Sequence, residues 1–183
     1  MSKLLSLTAG KTRAIAGSTS WPASYPGRSA ASIIRNSVSQ PDNKQYGIED
    51  ASFQAAGGEP GIRKLVDGFF NRMGTDPRFK VIWEMHPDDK QVSRDKLARF
   101  LCGWLGGPKL FHEKYGSISI PRVHEHLDIE TPERDQWLTC MRETVAEQSF
   151  DTAFKSYLME QLFVPAEGVR RRVEKIRGTE HER

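Results

Sequence analysis

From residue 46 onward the apolar positions recur at helical spacing. The clearest run is Ile62, Leu65, Val66, Phe69, Phe70 and Met73. These fall at i, i+3, i+4, i+7, i+8 and i+11, one face of a helix, which Gly74 and Pro77 should end. A short helix is predicted from Ser52 to Ala56, stopped by Gly57 and Gly58, and another short piece from Phe79 to Met85 before the turn at His86-Pro87. A second strong helix starts near Ser93 and carries Leu97, Phe100, Leu101, Trp104 and Leu105 until Gly106-Gly107-Pro108 breaks it.

Leu110 to Tyr115 reads as one or two turns, Gly116 to Pro121 as a loop, and Arg122 to Leu127 as a brief element of ambiguous type. Thr131-Pro132 is a helix start, since threonine caps exposed amides and proline suits the first turn. The helix it opens places Trp137, Met141, Thr144 and Val145 on one face. A last helix carries Phe150, Phe154, Tyr157, Leu158 and Leu162 and is expected to break at Pro165. No segment alternates like a strand and no repeat is visible. The expected fold class is therefore all-α, with about four main helices.

Residues 46–165 read as the folded domain and 166–183 as a charged, solvated extension. Residues 1–45 differ in kind. They are rich in Ser, Gly, Ala and Pro and show no sustained helical period, as a disordered leader does. Five basic residues (Lys3, Lys11, Arg13, Arg28 and Arg35) precede Pro41 without one acidic residue. That composition is shared by organellar transit peptides and by unstructured extensions of cytoplasmic proteins, so both localisations stay open.

The formal charge of +3 thus arises in the leader. The remainder is near neutral and lacks the basic stripe of a nucleic-acid binder. No apolar run approaches the roughly 20 residues of a helical membrane span. Cys102 and Cys140 stand in apolar helical stretches, outside any CxxC pair, and read as buried thiols in a reducing compartment.

Candidate chemistry rests with five histidines: His86, His112, His124, His126 and His181. His124 and His126 are two apart, so on a helix they diverge by about 200° and only one can face a given ligand, whereas on a strand both would face one way. With helices elsewhere, a single ligand is favoured. No Glu-x-x-His pair, phosphate loop or nucleophile elbow accompanies them.

Four segments, in order and at matching distances, carry a family likeness: Ala51 to Gly58 (ASFQAAGG), Lys96 to Pro108 (KLARFLCGWLGGP), the surroundings of His124, and Glu133 to Met141 (ERDQWLTCM). Together they resemble bacterial truncated haemoglobins of group II, over about Tyr46 to Pro165. The resemblance implies a two-over-two helical sandwich, the truncated globin fold, holding non-covalent haem b. It implies His124 as the proximal iron ligand, a role a neutral imidazole suits because one ring nitrogen binds metal while the other donates to a carbonyl.

On the opposite side the resemblance assigns Trp137 to the pocket, where its indole N–H donates to bound ligand. Phe70 stands where many relatives have tyrosine, so a hydroxyl donor is lost. His86 stands where many have tyrosine or phenylalanine. It either donates to dioxygen, ligates the sixth site of iron, or begins the turn before Pro87. Ser93 falls at a small distal position or caps its helix, Leu97 walls the pocket, and Arg122 either pairs with a haem propionate or is solvated.

The function implied is reversible dioxygen binding and transport, with other diatomic gases as further ligands. The alternative is a haem enzyme acting as a nitric oxide dioxygenase or peroxidase, which would need an external reductase, since haem carries either chemistry. A helical interaction module without haem is a third class, against which the presence of both His124 and Trp137 argues.

Overall fold

A computed structural model describes residues 45–181. The leader expected over residues 1–45 lies almost wholly outside the described residues. Eight α-helices follow one another: α1 (Ala51–Ala55), α2 (Gly58–Thr75), α3 (Lys80–Glu84), α4 (Lys90–Trp104), α5 (Leu110–Tyr115), α6 (Ile120–Val123), α7 (Thr131–Glu147) and α8 (Thr152–His181). A single 3₁₀ turn, Pro77–Phe79, precedes α3, and no strand occurs among the described residues. The chain is all-α, as the periodicity predicts.

All six apolar positions expected on one face of α2 are buried. α2 packs along α4, α7 packs along α8, and α2 crosses α7. These two helix pairs form the two-over-two arrangement. The core joins Phe69, Phe70 and Met73 of α2 to Leu101 and Cys102 of α4, Met141 and Val145 of α7, and Phe154 and Leu158 of α8. Both cysteines lie fully buried as unpaired thiols. No described helix is long and apolar enough to cross a membrane.

Helix starts depart from expectation at two places. α4 begins before Ser93, because the Asp89 carboxylate accepts the N–H groups of Gln91 and Val92 and caps it. Ser93 therefore lies within the helix and is not its cap. Thr131 is likewise the first residue of α7. The cap is Glu130, in a reciprocal arrangement with Glu133 that satisfies two exposed amides.

The larger correction concerns Pro165. The helix runs through it to His181, whereas a break and a solvated tail were expected. Proline inside a helix forfeits one hydrogen bond and crowds the preceding turn, at about 3 kcal/mol. Tertiary contacts offset that cost: Val169 and Val173, both beyond the proline, are buried, and the far part of α8 packs against α6.

The Gly106-Gly107 pair ends α4 and also seats α1. A Cβ at Gly106 would lie 1.8 Å from the Glu49 carbonyl oxygen, and one at Gly107 would lie 2.4 Å from the Phe53 ring. Phe53 N–H donates to the Leu105 carbonyl at 2.9 Å, so the backbone of α1 is tied to the end of α4 where side chains are missing.

Candidate haem site

His124 caps the C-terminal end of α6, a single turn that opens with Ile120 and Pro121. Its imidazole Nδ1 lies 2.7 Å from the carbonyl oxygen of Ile120. A carbonyl only accepts, so Nδ1 carries the proton and the lone pair stays on Nε2, which has no hydrogen-bond partner among the described residues. The ring is half-buried, while His126 is exposed. Both histidines lie in the turn after α6, and the difference in burial separates them.

His86 repeats the arrangement. It follows α3 by two residues, and its Nδ1 lies 2.7 Å from the carbonyl oxygen of Ile82. Its protonation is pushed below the ordinary histidine range, first by burial, against the favourable carbonyl contact, with further electrostatic lowering from Lys90 and the nearby His124. The two imidazoles thus lie within electrostatic reach of one another.

The ring of His86 meets that of Phe70 edge-on, with centroids 5.2 Å apart. Phe69 connects this pair to Trp137, lying 5.6 Å from Phe70 and 5.3 Å from the indole. Three elements, α2, the turn after α3 and α7, therefore converge on one aromatic cluster. Trp137 is half-buried, and its indole N–H has neither a partner among the described residues nor a sealed environment.

Ser93 and Leu97 lie one turn apart on α4 and are half-buried. The deepest residues of that helix are Ala98, Leu101 and Cys102, and Leu97, Phe100 and Trp104 are left partly uncovered beside them. Arg122 is exposed and forms no ion pair among the described residues.

Arg94 was not legible from the sequence. Its guanidinium lies 5.2 Å from the Phe70 ring centroid and is held by the Asp67 carbonyl at 2.9 Å and the Asn71 side-chain oxygen at 2.7 Å. These contacts link α4 to α2 across 27 and 23 residues, so no local spacing announces them.

The donor set fits a haem better than a bare metal ion. Among the described residues no three His, Cys, Asp or Glu side chains gather as a metal site, and a single imidazole lone pair suits a cofactor that brings the other ligands itself. The half-buried apolar side chains of α4 and α7 are surfaces that such a flat apolar group would cover.

Residues 51–166 match the family model for bacterial-like globin. The chain is 29% identical over 117 residues to group 2 truncated hemoglobin YjbI of Bacillus subtilis (strain 168), a match covering 64% of this chain and 86% of that one. Among solved structures it is similar to the cold-adapted truncated hemoglobin of the Antarctic marine bacterium Pseudoalteromonas haloplanktis TAC125. That match has 30% identity and a TM-score of 0.62 and covers 64% of this chain and 95% of the other. It is also similar to a truncated oxygen-avid haemoglobin from Bacillus subtilis, with 27% identity, a TM-score of 0.59 and coverage of 64% and 97%.

Proposed function

Because the chain belongs to the bacterial-like globin family, we propose that it holds haem b through His124 and binds dioxygen reversibly on the side of His86 and Trp137. Haem, when bound, supplies an iron able to carry a diatomic gas. The observation that carries the reading is the Nδ1 contact of His124 with Ile120, which directs the ring's only lone pair to Nε2. The oxygen-avid relative supports dioxygen as the ligand.

Each remaining residue has a part. Phe70 brings no hydroxyl, so Trp137 is the aromatic donor on that side, and its N–H, without a partner among the described residues, would meet a polar diatomic ligand. His86 has its proton engaged by Ile82, and burial keeps the ring neutral. Its Nε2 then offers a lone pair and no proton, so His86 would be a residue that holds haem iron rather than a donor to the gas. Leu97 and Ser93 border the ligand space. Arg122, exposed and without an ion pair among the described residues, would pair with a propionate.

Purified wild-type protein reconstituted with haem should show a Soret band, and His124→Ala should lose or strongly shift it. Colourless wild-type protein, or a spectrum indifferent to the substitution, sinks the reading. Mixing the oxygenated protein rapidly with nitric oxide separates carriage from nitric oxide oxidation.

A further inference from the structure

α6 is a single turn with no buried residue, far too short to hold itself together. The contact of His124 with Ile120 is internal to that turn and fixes the ring only relative to it. Something outside must place the turn. Of the long helices, the one that packs on it is α8, in the part beyond Pro165 that continues past the family match ending at residue 166.

Two kinds of contact make this hold. Val169, Val173 and the half-buried Ile176 follow helical spacing on one face, and a Cβ at Gly168 would come within 3.8 Å of Pro121, so the helices approach closely. Along the same helix, Arg172 grips Glu125, the residue after His124, with Nε and Nη2 at 3.0 and 2.8 Å from one carboxylate oxygen. Arg177 pairs with both Asp128 and Glu130. Glu167 binds Arg134 of α7 as well as Arg170 and Arg171, anchoring the start of the extension.

The run Arg170-Arg171-Arg172 is consequently no open basic patch, since each guanidinium has a carboxylate. Single exposed ion pairs contribute little, but pairs spread over residues 125–130 and all drawn to one helix restrain the whole segment.

We propose that the stretch of α8 from 167 to 181 is a brace for the proximal segment, with Arg172 and Arg177 as positioning residues that hold the His124 imidazole in place against haem iron. This rests on His124 being the haem ligand. The brace keeps the short α6 from drifting and so slows the loss of haem.

The test compares wild type, the double variant Arg172→Ala/Arg177→Ala, the charge swap Glu125→Arg/Arg172→Glu, and Arg172→Lys, all as full-length haem-loaded protein. Haem transfer to excess apomyoglobin and the iron–histidine stretching band of the ferrous form are read, with far-ultraviolet circular dichroism reporting folding. The double variant should lose haem several-fold faster and shift the band, with the charge swap and Arg172→Lys approaching wild type. Unchanged transfer and an unmoved band in the double variant overturn the brace, as does a folded charge swap that behaves like the double variant. If the wild type itself takes up no haem, the assignment of His124 fails, and this is distinguishable because every variant then fails alike.

Discussion

The imidazole of His86 and the carbonyl of Ile82 are joined across 2.7 Å at the end of α3, the same i−4 contact that His124 makes with Ile120. In each case the carbonyl claims the Nδ1 proton and leaves Nε2 with a lone pair. The two imidazoles therefore share a tautomer, each with a lone pair that no described residue claims.

The first expectation concerns His86. Burial holds its pKa down, so the ring is neutral at pH 7 and available as a ligand. The ferric protein should give a low-spin, six-coordinate spectrum that becomes high-spin in His86→Ala. A spectrum identical in the two proteins excludes ligation by this residue.

Trp137 should govern ligand retention. Trp137→Phe keeps an aromatic ring against Phe69 while removing the N–H donor. Loss of one hydrogen bond worth about 1 kcal/mol predicts roughly fivefold faster dioxygen release. Stopped-flow displacement measures it, and an unaltered dissociation rate would strip the indole of its donor role.

Gly106 should tolerate no side chain. Its φ is +94°, in the region that penalises a Cβ, and the added carbon would sit 1.8 Å from the Glu49 carbonyl oxygen. Strain of about 1–2 kcal/mol plus displacement of the segment preceding α1 predicts that Gly106→Ala lowers stability by more than about 2 kcal/mol. Urea unfolding at neutral pH checks this.

Acid should weaken the α2–α4–α5 junction through Asp95. Burial opposes ionisation of this carboxyl, yet hydrogen bonds from Lys114, Tyr115, Arg99 and Arg63 outweigh it and hold the group well below the usual aspartate range. With the folded value depressed, the stabilisation is present above the unfolded pKa of roughly 3.9 and disappears as pH falls through the lower folded value. Asp95→Asn should therefore be less stable than wild type at pH 7, with the gap closing at strongly acid pH. Thermal melts across that range provide the measurement, and a pH-independent gap would contradict the assignment.

The helices α2, α5 and α7 were legible in the chain, as were the inward apolar faces, because periods of 3.6 residues reflect contacts between neighbours three and four apart. His124 and His126 could not be separated by that logic, since both lie in the turn after α6. The caps at Asp89 and Glu130 were missed, since serine and threonine compete as cap signals a residue or more away. Arg94 and Asp95, now central to the aromatic cluster and to the α4 junction, carry no local signature.

The sequence by itself determined that this chain is helical and which apolar residues form the inward faces, because both follow from short-range spacing. Only the tertiary structure decided that His86, Phe70 and Trp137 share one cluster through Phe69, and that α8 passes Pro165 to reach the segment beside His124. The reason is range. Arg172 and Glu125 stand 47 residues apart, and whether such groups meet is set by how whole helices pack, where buried apolar area can outweigh a local penalty such as proline.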